Sequence, residues 1–204
     1  MLRDEYVVKD IAELTALYDA PLERSVRKQL DRLDEHCRAM IAASPFLVIG
    51  TQADVADASP RGDVAGFVRV ADDHTLLIPD RRGNNRLDTL HNIVRNPRVG
   101  LLFLMPGRPE TFRVNGDAVI SRDPELLESF AVNGNSPRTV LVVTVKEAYI
   151  HCSRALVRAD LWNPAKFGPA VPSFGTVMAA HTCGFVDGPT VDEDNKTRVP
   201  STLY

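Results

Sequence analysis

From residue 45 to residue 150 the chain alternates short apolar runs with clusters of turn residues. The runs 46–51, 64–70, 75–78, 99–105, 110–121 and 139–150 are rich in Val, Ile, Leu, Phe and Thr, and each is predicted to be a strand. Asp72-Asp73-His74 and Pro106-Gly107-Arg108-Pro109 have the composition of tight turns joining neighbouring runs. In the longest strand Phe112, Val114, Ala118 and Ile120 alternate with polar residues, apart from an Asn115-Gly116 step that marks a bulge. One face of that strand is therefore buried, and the other is wet or covered by a partner.

A period of three and four replaces the alternation elsewhere. Leu22, Val26, Leu30, Leu33, Cys37 and Ile41 mark one apolar face of a helix, or of two, over 21–44, with Pro21 at its opening. Shorter helices are expected at 87–95, at 125–130 behind an Asp123-Pro124 start, and at 153–162. The expected fold is mainly β with flanking helices: a six-stranded antiparallel split β-barrel over 45–164. A helical segment (1–44) packs on it, and an arm (165–204) follows. Within the arm, 171–181 can form a docking helix, and 187–204 is read as an arm or disorder.

Composition changes this picture little. The 204 residues are 44% hydrophobic and 25% charged, enough to bury a core, and the net charge of -3 gives no footprint for nucleic acid. Residues 1–10 lack the apolar run of a signal peptide, and no stretch is long enough to span a bilayer, so a cytoplasmic protein away from membranes is expected. Cys37, Cys152 and Cys183 form no even disulfide framework. His151-Cys152 and His181-Thr182-Cys183 match no usual zinc spacing, so no metal is expected. No nucleophile elbow, Walker loop or dinucleotide fingerprint is present.

Three stretches carry candidate chemistry. In the first, a strand ending Ile78-Pro79-Asp80 runs into Arg81-Arg82-Gly83-Asn84-Asn85-Arg86 and then a helix. A helix N-terminus presents unpaired N–H groups to a phosphate, Gly83 permits positive φ, the asparagines offer amide donors and Arg86 a planar charged fork. The same composition equally serves an ordinary capped turn with solvated arginines. The second, Ser59-Pro60-Arg61-Gly62-Asp63, reads as a tight connection with Arg61 and Arg69 available to an anion, or as a plain turn. In the third, Arg154, Arg158 and Trp162 are spaced by four, and on one helix face they could close over a planar anionic ligand or simply pack on the barrel.

Taken in order, Ser59 to Asp63 with Gly66-Phe67-Val68, Ile78 to Asp80, Gly83 to Asp88, Asn96-Pro97, Val99 to Phe103, Arg113 to Gly116, and His151-Cys152 with Arg158 and Leu161-Trp162 resemble the pyridoxamine 5'-phosphate oxidase superfamily of FMN-binding split barrels. The nearest likeness is to its predicted flavin-nucleotide-binding proteins. The resemblance implies a homodimer with FMN at the subunit interface and a small-molecule electron donor or acceptor. Its phosphate-binding stretch falls on Asn84, Asn85 and Arg86, helped by Arg61 and Gly62. Backbone near Phe67, Val68, Pro79 and Asp80 would line the flavin ring, and Arg158 and Trp162 would complete the site. The oxidase's Arg-x-Val-Leu-x-Lys strand and Arg-x-His segment are absent. The implied activity is thus an FMN-dependent oxidoreductase whose substrate is not pyridoxamine phosphate. A non-catalytic flavin-sensing or storage protein and a deazaflavin-dependent reductase are the alternatives on the same fold.

Overall fold

The computed structural model describes residues 3–168 and 170–204; Met1, Leu2 and Pro169, which fall in the expected terminal segments, lie outside the described residues. In chain order the elements are α1 (Ile11–Ala16), α2 (Glu23–Arg27), α3 (Glu35–Ala43), β1 (Phe46–Gln52), β2 (Ala56–Gly62), β3 (Arg69–Asp72), β4 (Thr75–Pro79) and α4 (Asp88–Arg95). There follow β5 (Arg98–Leu104), β6 (Thr111–Ser121), α5 (Pro124–Ser129), β7 (Val140–His151), α6 (Arg154–Ala159), α7 (Phe174–His181) and α8 (Gly188–Ser201).

Cross-strand register builds the core. Leu47 faces Phe103 and Ile49 faces Leu101 between β1 and β5. Phe103 faces Phe112 and Leu101 faces Val114 between β5 and β6. Val114 faces Ala148 and Ala118 faces Val143 between β6 and β7, and Leu76 and Ile78 of β4 continue the same face. These residues form one buried cluster with Leu33, Cys37, Ile41 and Ile93. Each such large side chain contributes about 1.5–3 kcal/mol by leaving water. The Phe103 and Phe112 rings, 6.2 Å apart and tilted, add a favourable aromatic contact. The Asn115-Gly116 bulge is present as a register shift between β6 and β7.

The sheet is antiparallel and runs β2-β1-β5-β6-β7-β4-β3, so the strand number is seven rather than six. Its order ends at β2 and β3, and no pairing joins those edges among the described residues. The miscount has a local cause. Residues 56–62 pair with β1 as an edge strand, where Pro60 can sit because one side of the ladder has no partner. The strand expected at 64–70 is instead a turn through Gly66, at φ 86°, and only Arg69 begins β3.

The helices before β1 and after α7 depart from expectation. The periodic run 21–44 breaks after α2, because Leu30 leaves the helix to bridge Ala148 of β7, and the chain restarts at Asp34, whose carboxylate accepts the Cys37 N–H at 2.8 Å. Leu22 and Val26, on the expected apolar face, remain exposed. The stretch 187–204, read as an arm or disorder, is largely helical: α8 forms there, capped by Asp187, and packs on α7. Among the described residues no helix is long and apolar enough to cross a membrane.

Candidate functional site

The pairing of β4 with β7 brings two loops together. Pro79 lies opposite Val140, and the Asp80 N–H donates to the Thr139 carbonyl at 2.9 Å. The loop from β4 to α4 therefore faces the loop leading into β7 across a cleft of about 750 Å³. That volume falls within the range of about 300–1,000 Å³ usual for small-molecule sites. Phe67, Pro79, Leu87 and Leu90 give the cleft an apolar wall, while Arg61, Arg81, Arg82, Arg86 and Arg138 line it against a single carboxylate, Asp80. An anion with an apolar body suits such a lining.

Two carboxylates organise the arginines. Asp63, with its side chain only 2% exposed, accepts from Arg81 Nε at 2.7 Å, while Arg81 Nη1 donates to the Phe130 carbonyl. Burial alone pushes Asp63 upward in pKa, but hydrogen bonds from Tyr204, the Val64 N–H and Arg81 together hold it below the usual carboxylate value. Burial dominates at Asp80 and raises its pKa, although Arg61 and Arg138 pull the other way. Arg61 lies 3.8 Å from Asp80.

The loop 80–86 carries features of both readings. Asn84 Oδ1 accepts the Arg86 N–H at 2.9 Å, a local turn, and no side chain caps the start of α4. Its first-turn N–H groups therefore lack the side-chain acceptor that an ordinary capped helix would supply. The positive φ sits at Asn85, at 60°, not at Gly83. A Cβ at Gly83 would meet nothing within 4 Å. Arg138 Nη1 reaches Asn85 Oδ1 at 3.4 Å, joining the two loops. Thr139 lines this cleft, and its hydroxyl oxygen is buried without a hydrogen-bond partner.

The family model for pyridoxamine 5'-phosphate oxidase matches residues 33–152, more than half of the chain and all seven strands. The chain belongs to the pyridoxamine 5'-phosphate oxidase family. No curated protein sequence matches it. Among solved structures similar to this chain is HupZ from Group A Streptococcus, at 16% identity and a TM-score of 0.46, covering 57% of this chain and 92% of that one. An FMN-binding protein from Syntrophomonas wolfei is 14% identical with a TM-score of 0.45, covering 56% and 83%. An FAD-binding protein from Mycobacterium smegmatis is 15% identical with a TM-score of 0.40, covering 59% and 96%.

In this member of the pyridoxamine 5'-phosphate oxidase family, Arg61, Gly62, Phe67, Pro79, Asp80, Asn84, Asn85 and Arg86 all line one cleft. Val68 does not; its side chain is in the core, 3% exposed. Arg69 is held away as well, donating to Ser129 and lying over the Phe130 ring. Arg86 points partly outward and pairs with Asp88 at 2.9 Å. Arg154, Arg158 and Trp162 cannot share a helix face, because α6 stops at Ala159 and Asp160 turns the chain at φ 49°. Trp162 instead donates to the Arg108 carbonyl at 2.7 Å and lines a separate shallow apolar depression with Pro109 and Leu156.

Arg81, Arg82, Arg138 and Tyr204 were not singled out as site residues from the sequence. Arg81 and Arg82 lie inside the candidate stretch Arg81-Arg82-Gly83-Asn84-Asn85-Arg86. For Arg138 the available signal is the turn-rich run Asn133-Gly134-Asn135-Ser136-Pro137 just before a strand. Tyr204 gives none, because its neighbours are set by a contact 141 positions away.

Proposed function

We propose that the protein binds FMN in this cleft and acts as an FMN-dependent oxidoreductase of the type its family is named for, on a substrate other than pyridoxamine phosphate. One observation carries the reading: a cluster of arginines beside an uncapped helix start shares a single cleft with an apolar wall. That pairing fits a ligand with a phosphate at one end and a flat ring system at the other. Arg82 and Arg138, with the first-turn N–H groups of α4, hold the phosphate. Arg86 joins them when it turns from Asp88. Phe67, Leu87 and Leu90 exclude water from the ring. A bound flavin supplies an acceptor for a hydride or for single electrons, which no side chain here can replace.

The chain's own groups tune that chemistry. The Asp80 N–H is committed to Thr139, so of that residue's backbone only the carbonyl is left for a ring edge. Arg61, beside Asp80, is placed to stabilise negative charge that develops on a reduced ring. Asp80, with its raised pKa, takes up a proton more readily than an ordinary aspartate.

The functional unit in this reading is a homodimer with the cleft at its subunit interface. The sheet face turned from the core pairs Val48 with Leu102 and Val119 with Val142, and Val119 is 61% exposed. A second copy would cover this face and bring its own Arg158 and Trp162 toward the cleft. Light scattering is expected to give twice the mass of one chain.

Release of the chromophore from purified protein, with its absorption and mass, tests the cofactor. FMN is expected, followed by anaerobic bleaching with NADH or NADPH. A deazaflavin mass would move the cleft to that cofactor, and FMN that no donor reduces would make the protein a flavin-binding module without turnover.

A further inference from the structure

The segment after α8 returns to the cleft. The Tyr204 hydroxyl donates to Asp63 Oδ1 at 2.6 Å, and the Arg81 guanidinium carbon lies 5.4 Å from the centre of the Tyr204 ring. Asp63 holds Arg81 Nε on its other oxygen. One nearly buried carboxylate thus joins a cleft arginine to a residue 141 positions away.

Tyr204 belongs to a compact unit. A Cβ on Gly175 of α7 would collide with the Gly188 carbonyl of α8, and Asp192 Oδ1 accepts the Gly175 N–H at 2.7 Å. The two helices are therefore packed backbone against backbone, and Tyr204 follows three residues after the end of α8. The cleft keeps its volume of about 750 Å³ with Tyr204 in place, so the ring walls the space and does not fill it.

We propose that Tyr204 is a positioning residue of the cleft: it latches the α7–α8 pair to the Asp63–Arg81 ion pair and forms the wall against which a bound planar anion rests. The contact is a hydroxyl donating to a charged acceptor sheltered from water, the stronger class of hydrogen bond. Its ring also faces a guanidinium within the range of a cation–π contact. Loss of the hydroxyl frees the segment, admits water to the ion pair and removes the wall.

The ligand half of this proposal rests on the cleft being the FMN site; the latch half does not. Tyr204→Phe keeps the ring and removes the donor. Two measurements are made on it: stopped-flow release of FMN, and hydrogen–deuterium exchange of the α8 amides without ligand. Release is expected to quicken about tenfold, the value of one hydrogen bond to a charged group, and α8 exchange to rise. Release and exchange both at wild-type rates overturn the proposal, while loss of FMN from Arg138→Ala would leave the site itself standing. Tighter FMN binding in Tyr204→Phe overturns it in another way, because Tyr204 would then compete with the ligand. If wild-type protein takes up no FMN, the flavin reading fails and the exchange measurement alone decides the latch.

Discussion

Asp63 is the residue on which the cleft's charges turn. Its folded-state pKa lies below the ordinary value, so its ionised form stabilises the fold at neutral pH. That contribution is present above the unfolded value of about 4 and fades as the pH falls through the lower folded value. Asp63→Asn is therefore expected to unfold at lower urea than wild type at pH 7, with the gap closing below pH ~4. A gap independent of pH contradicts the ion pair. Asp80 has the opposite sense: as the one carboxylate among five lining arginines, it opposes an incoming anion. Asp80→Asn should tighten FMN binding by about 1 kcal/mol, and Arg138→Ala should weaken it by about 1.5–3 kcal/mol, both read by quenching of flavin fluorescence. Asn84 and Asn85 could be read from the sequence because loop composition is local. Arg138 could not, since its place depends on the pairing of β4 with β7.

At the scale of elements, what could be read depended on how local each signal is. The bulge at Gly116 showed as an interruption of a strict alternation, and the structure gives its reason: a Cβ there would collide with the Thr144 carbonyl. Gly116→Ala should cost about 2–3 kcal/mol in denaturant unfolding, as overpacking does; an unchanged midpoint would mean that β6 and β7 separate without penalty. The turns at 72–74 and 106–109 were legible for the same local reason. The edge strand β2 was hidden by Pro60 and Gly62, which read as a turn, and α8 by the polar run around Pro189 and Pro200. The break between α2 and α3 was hidden because Leu30 keeps the helical spacing while its backbone pairs with β7.

At the scale of the molecule, a sheet made of consecutive apolar runs announces itself, and the family match over 33–152 follows the same strands. What lies between distant segments, the cleft between the β4 and β7 loops above all, follows from the assembled sheet and could not be read in advance. The central claim is that the arginine end of the cleft takes a phosphate and the apolar wall a flavin ring. Calorimetric titration of chromophore-free protein with FMN and with riboflavin, which lacks the phosphate, addresses both halves at once. FMN should saturate one site per chain and bind at least about tenfold tighter than riboflavin, the worth of one charged hydrogen bond. Equal affinity for the two, or no heat from either, would contradict it.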